Sequence, residues 1–190
     1  MKLAGILPFA RDILQKSVTT NGIAIDATAG NGHDTEFLAK LVGDNGTVYS
    51  FDIQDQAINA TRDRLEITNL EKQVHLIQDG HEKLETYLSP THHNNINGAI
   101  FNLGYLPGSD KSIVTTPSTT IEAIQQLSKH LKKGGIIVLV VYHGHEEGKV
   151  EKDMLLPFVE SLPQTDFHVL EYRFINQKNT PPFIIAIEKK

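Results

Sequence analysis

Five short β-rich runs alternate along this chain with stretches whose apolar residues fall at helical spacing, and that alternation most restricts the folds open to it. The runs are Ile23 to Asp26, Thr47 to Asp52, Val74 to Gln78, Gly98 to Phe101 and Ile136 to Tyr142. Between them, Phe37, Leu38 and Leu41, then Ala57, Ile58, Thr61 and Leu65, then Ile121, Ile124, Gln125 and Leu131 predict crossover helices. A further helix is expected over Pro8 to Val18. Strands alternating with helices imply a mostly parallel sheet covered on both faces, with a ligand crevice at the carboxyl ends of the strands. The end of the chain breaks the pattern. Phe167 to Ile175 and Phe183 to Glu188 are β-rich and joined only by the polar stretch Asn176 to Pro182, which predicts an antiparallel hairpin and a total of seven strands.

Composition bounds the rest. A chain of 190 residues suits one compact domain over 1–190, and a core of that size needs no covalent or metal staple. The absence of Cys removes disulfide scaffolds, thiolate metal centres and a Cys nucleophile. No apolar run approaches the roughly 20 residues of a membrane span, and no secretory leader is evident, so a cytoplasmic protein is expected. The formal charge of -5 argues against broad electrostatic coating of nucleic acid. That charge is uneven: residues 1–110 hold 8 basic against 14 acidic residues, and 111–190 hold 10 against 9.

The first run enters a Gly-rich turn and then a helix, through Asp26, Ala27, Thr28, Ala29, Gly30, Asn31, Gly32, His33, Asp34 and Thr35. Glycines permit close approach of a ligand to backbone, and the helix start offers unpaired N–H groups. A dinucleotide site wants a third Gly where Thr35 stands, and its pyrophosphate would be repelled by Asp26. S-adenosylmethionine (SAM) carries no phosphate, and its ammonium would be held by an acid near the turn. Asp52, at the end of the second run, is placed either to accept from two ribose hydroxyls, with Ile53 and Gln54 along an adenine, or to cap the helix starting near Asp55. Asp79, Gly80 and His81 end the third run and either meet the adenine or begin a helix from His81 to Tyr87.

Asn102 and Leu103 follow the fourth run, with Gly104, Tyr105, Leu106 and Pro107 after them, beside the expected crevice. The Asn102 side-chain oxygen and the Leu103 carbonyl can accept from a substrate amine, and Tyr105 offers a stacking ring. His143 and His145, past the fifth run, are candidates to accept a proton or orient substrate, while a metal role lacks a third ligand. His92 and His93, beside Asn94 and Asn95, read as solvated, and Ser118 or Thr119 as the cap of the next helix.

Together with Leu131, Lys132, Lys133, Gly134 and Gly135 before a buried strand, these motifs resemble those of class I SAM-dependent methyltransferases along nearly the whole chain. More narrowly, Asp26 to Thr35, Phe51 to Gln54, Asn102 to Pro107 and Tyr142 to His145 are similar to a bacterial family labelled rRNA methylase. The resemblance implies a Rossmann-like α/β fold, SAM as cofactor and S-adenosylhomocysteine (SAH) as product. It also implies N-methylation of the 5-aminomethyl group of 2-thiouridine at the tRNA wobble position. The partner would be a tRNA anticodon loop, contacted by Lys111, Lys149, Lys152, Arg173 and Lys178, with a homodimer as one way to widen the basic surface. Methylation of rRNA or of a small amine is the alternative, and an oxidoreductase without methylation a third reading.

Overall fold

The computed structural model describes residues 2–104 and 115–190. In chain order the elements are α1 (Ile6–Ser17), β1 (Ile23–Asp26), α2 (His33–Val42), β2 (Thr47–Phe51), α3 (Asp55–Thr68) and β3 (Val74–Ile77). They continue with α4 (Leu84–Tyr87), β4 (Ile96–Leu103), α5 (Pro117–His130), β5 (Leu131–Val141), α6 (Glu146–Glu160), β6 (Phe167–Tyr172) and β7 (Phe183–Lys189). The strands form one sheet in the order β3-β2-β1-β4-β5-β7-β6. The first five are parallel, and β7 runs antiparallel to both β5 and β6. The seven-stranded sheet with a terminal hairpin is as the sequence predicts.

Period-two alternation sorts the apolar side chains to the two faces of the sheet. Ile25, Phe101, Leu103, Leu139 and Val141 pack with Leu84, Ile124, Leu127 and Leu155 from α4, α5 and α6. Ala24, Ile100, Val138 and Val140 pack with Ala10, Leu14, Leu38 and Val42 from α1 and α2. Because both faces are covered, the central strands are almost wholly apolar, and the polar residues that matter collect at strand ends.

The boundaries depart from sequence expectation where pairing outruns local propensity. β4 extends through Asn102 and Leu103, because Asn102 pairs with Val140 and Leu103 with Val141. Tyr142 N donates to the Leu103 carbonyl at 3.2 Å, so that carbonyl is held by its neighbouring strand. β5 begins at Leu131, not within a preceding helix, since the ladder resumes there across a register shift near Ile96 with Gly134 at φ 75°. Gln125 is exposed, and Gln126 is the buried helical position, its Oε1 accepting from Glu85 N. A 3-10 turn over His81–Lys83 takes the start of the expected His81 helix, and β6 stops at Tyr172. Helix α6 answers to no expected element. No helix among the described residues is long and apolar enough to cross a membrane.

Candidate active site

Strand order reverses between β1 and β4, and a cavity of about 810 Å³ opens at their carboxyl ends. Its floor is the Gly-rich turn. Ala27 N donates to Ile100 O and Ala29 N to Phe51 O, so the turn stays tied to both neighbouring strands. Gly32 sits at φ 77°, and a Cβ there would lie 3.0 Å from the Thr61 backbone, so α3 could not approach as it does.

Asp26 does not face the cavity. It is fully buried, accepting from Thr28 N at 3.1 Å and from Thr35 Oγ1 at 2.6 Å, with Ser50 Oγ 2.8 Å beyond Thr35. Burial, and then the charge of Asp34, push its carboxyl up to about 7. The expectation that Asp26 itself holds the ammonium of a ligand is therefore corrected: Asp26 and Thr35 brace the turn from behind, and Gly32 shapes it. Ala27, Thr28, Gly30, Asn31 and Asp34 line the cavity.

Asp34 is the acid of this turn that faces the cavity. Its Oδ1 accepts from Arg11 Nε and Nη2 at 3.1 and 2.9 Å, and its Oδ2 from Asn102 Nδ2 at 2.8 Å. The Arg11 guanidinium also lies 5.3 Å from the Phe37 ring centroid, and Asn102 N donates to Thr28 Oγ1 at 2.8 Å. One network thus joins α1, α2, the turn and the end of β4. Arg11 escaped the sequence reading, because an arginine on an amphipathic helix looks solvated until the fold brings it 23 residues forward onto Asp34.

Asp52 stands just beyond β2. Its Oδ2 accepts from Gly30 N at 2.9 Å and its Oδ1 from Gln54 N at 3.0 Å, so it clasps the turn and the entry to α3. Each oxygen retains a lone pair, and Asp52, Ile53 and Gln54 all line the cavity, Ile53 with 56% of its surface exposed. Asp79, Gly80 and His81 line the same end. Asp79 already accepts from Gly80 N, Lys83 Nζ and Tyr87 Oη, and the Lys83 and Tyr87 bonds hold its carboxyl below the usual range. His81 is buried, with Nδ1 2.9 Å from the Ala27 carbonyl, so Nδ1 bears the proton and donates; burial lowers its pKa and favours the neutral ring.

Past β5, Tyr142, His143, Gly144 and His145 form the opposite wall. Burial, followed by the charges of Lys152 and Arg173, lowers the His143 pKa. His143 is therefore a neutral ring at neutral pH, able to take a proton. His145 is the N-cap of α6, its Nδ1 accepting from Gly148 N at 3.0 Å, which makes that nitrogen a structural acceptor. Glu146 and Glu147 directly after it were a legible helix-start signal. A Cβ on Gly148 would fall 2.2 Å from the Tyr142 carbonyl oxygen. Gly148→Ala is accordingly expected to push α6 off the strand end, costing about 1–3 kcal/mol of stability. Thermal melting checks this, and an unchanged melting temperature would contradict it.

Leu103 is fully buried and outside the cavity wall, which removes it from direct contact with a substrate. Tyr105 and Lys111 lie outside the described residues. Thr115 and Thr116 line the cavity, and Thr115 Oγ1 and Thr120 Oγ1 donate to the buried Glu151 of α6 at 2.7 and 2.8 Å. Thr116, not Ser118 or Thr119, is the N-cap position of α5. His92 departs from its expected solvation, its Nδ1 lying 2.9 Å from Tyr49 Oη. Among the described residues no group of three His, Asp or Glu side chains is placed to hold a metal.

A family model described as "Putative rRNA methylase" matches residues 48–188. A crystal structure of an rRNA methylase of that description from Clostridium thermocellum is 42% identical, with a TM-score of 0.96 and full coverage of both chains. A protein from Streptococcus mutans described as "a putative methyltransferase", crystallised in complex with SAH, is 43% identical with a TM-score of 0.89, covering 99% of each chain. Among curated proteins, the chloroplastic tRNA (mnm(5)s(2)U34)-methyltransferase of Arabidopsis thaliana is 35% identical over 186 residues. That alignment takes in 94% of this chain, which spans only 66% of the plant protein's length. Sheet order, the crevice at the strand ends and identity along the whole length have a common explanation: this chain belongs to the rRNA-methylase family of class I methyltransferases.

Proposed function

We propose that this protein is a SAM-dependent RNA methyltransferase that N-methylates the 5-aminomethyl group of 2-thiouridine at the wobble position of tRNA. The observation that carries the reading is the Asn102 amide. Its nitrogen donates to Asp34, so its oxygen is the group left to accept an N–H from a substrate amine at the crevice. The relative with 35% identity, named for that nucleoside, and the SAH complex of the Streptococcus mutans relative support substrate and cofactor respectively.

The cavity residues fit the cofactor. Asp52 has unoccupied lone pairs for a ribose diol, and Ile53 offers an exposed apolar face for a base. SAM supplies an electrophilic methyl group on a sulfonium, so the protein's contribution is orientation. The amine nitrogen forms the new N–C bond with its lone pair, the C–S bond breaks with its electrons passing to sulfur, and the nitrogen then sheds a proton. His143, neutral and on the cavity wall, is the proposed acceptor of that proton. Lys152 and Arg173, whose charges both reach His143, are the proposed phosphate contacts, consistent with an acidic chain that grips few phosphates and receives a splayed base.

Asn102→Ala is expected to lower single-turnover methylation about 10²-fold while leaving SAH affinity within about threefold. The decisive assay incubates the protein and SAM with tRNA bearing 5-aminomethyl-2-thiouridine and weighs the released nucleosides. A product one methyl heavier supports the reading. Methyl transfer to rRNA or free amines instead would move the substrate and keep the enzyme class.

A further inference from the structure

We propose that Arg11 is a positioning residue for the methyl acceptor: it balances the Asp34 carboxylate, so that Asn102 presents its side-chain oxygen to an uncharged amine. This inference rests on the amine substrate proposed above.

The geometry puts three groups in series. Arg11 reaches Asp34 Oδ1 through two nitrogens, at 3.1 and 2.9 Å, and Asp34 Oδ2 receives the Asn102 amide at 2.8 Å. All three residues line the cavity. Arg11 is held on its other side by the Phe37 ring at 5.3 Å, which fixes the guanidinium over α2. The fold therefore delivers a permanent positive charge from α1 to the acid that accepts from Asn102.

The chemistry explains why that charge matters. An alkylamine is predominantly protonated at neutral pH, and only its neutral form has a lone pair for attack. An unbalanced carboxylate one residue away would stabilise the ammonium and remove the nucleophile. With Arg11 in place the Asp34 pair is neutral overall, yet Asp34 still accepts from Asn102 Nδ2. Arginine suits the task because it does not deprotonate and donates through more than one N–H.

Among the described residues, the titratable groups placed with Asp34 at this end of the cavity, besides Arg11, are Asp26 beneath it, His33 on its own helix, Asp52 past β2, and Tyr142 and His143 past β5. All five remain in every variant below, so differences between variants report the Arg11–Asp34 pair.

The test measures single-turnover methylation of tRNA carrying 5-aminomethyl-2-thiouridine, at saturating SAM, between about pH 6 and 9. Arg11→Gln is expected to move the acid limb of the rate profile up by about one pH unit, with about a tenfold loss at pH 7. Arg11→Lys should keep the limb near its original position, because charge balance is retained. The double variant Arg11→Gln with Asp34→Asn should return the limb toward the parent, because neither charge remains. A merely structural arginine would lower the rate equally at every pH. An unshifted limb in Arg11→Gln overturns the inference, as does a defect confined to KM for SAM. A parent enzyme that methylates no aminomethyl tRNA overturns the proposed function, and this inference falls with it; an active parent with an unshifted variant overturns the inference alone.

Discussion

Asp26→Asn is expected to stabilise the protein above neutrality by up to about 4 kcal/mol, from a carboxyl raised from 3.8 to about 7 at about 1.4 kcal/mol per unit. The sign follows from proton binding. Between roughly pH 4 and 7 the folded state keeps a proton on Asp26 that the unfolded state has released, so stability is lost as pH rises through that window. Asparagine reproduces the protonated shape: its oxygen can accept from Thr28 N, and its NH₂ can donate to Thr35 Oγ1 while that hydroxyl turns to Ser50. Urea denaturation of both proteins from about pH 4 to 8 reads the effect as a gap that widens with pH. His81, lowered by burial, contributes the opposite slope as pH rises toward the ordinary histidine value, but it does so in both proteins and cancels in the difference. Parallel curves for the two proteins would show that Asp26 is ionised in the fold at little cost.

Asp52→Ala should weaken SAH binding by about 10²–10³-fold, the equivalent of two hydrogen bonds to a charged acceptor. The same change strips the partners from Gly30 N and Gln54 N, so a smaller loss of thermal stability accompanies it. Asp52→Asn, which keeps one acceptor oxygen and nearly the same volume, separates the two effects: it should hold the turn better than alanine and still lose most of the affinity. Isothermal titration with SAH is the direct measurement. Affinity unchanged in Asp52→Ala would remove the ribose from this position and return Asp52 to a purely structural clasp.

Both effects concern residues visible in the sequence, yet their roles differ in how far the sequence could carry them. Asp52 was legible because strand-end position and spacing from the Gly-rich turn are local properties. The capping alternative gives way to Gln54 at the N-cap of α3, while Asp52 clasps Gly30 N and Gln54 N and keeps lone pairs open to a ligand. Asp26 was identified as significant but assigned to the wrong side of the turn. Side-chain alternation at the last residue of a strand depends on what packs behind it, here Thr35 and Ser50. Leu103 departs from expectation for a similar reason, because only the ladder with β5 shows that its carbonyl is engaged. His145, a candidate proton acceptor by sequence, lines the cavity and also N-caps α6, a helix outside the expected elements.

The sequence by itself determined the sheet's class and its chemistry-bearing edge. Period-two apolar runs, helical periodicity, a Gly-rich turn and a closing hairpin each depend on neighbours a few residues apart, so local sterics and burial dictate them. Only the tertiary structure decided which acid of the Gly-rich turn meets the cavity. Arg11, Asp34 and Asn102 come from α1, α2 and β4, separated by 23 and 68 residues, and nothing in the local sequence of any one of them encodes the other two. The contact exists because packing α1 and α2 on one face of the sheet buries Leu14 and Leu38, and that burial brings Arg11, midway along α1, and Asp34, in the first turn of α2, to the mouth of the crevice.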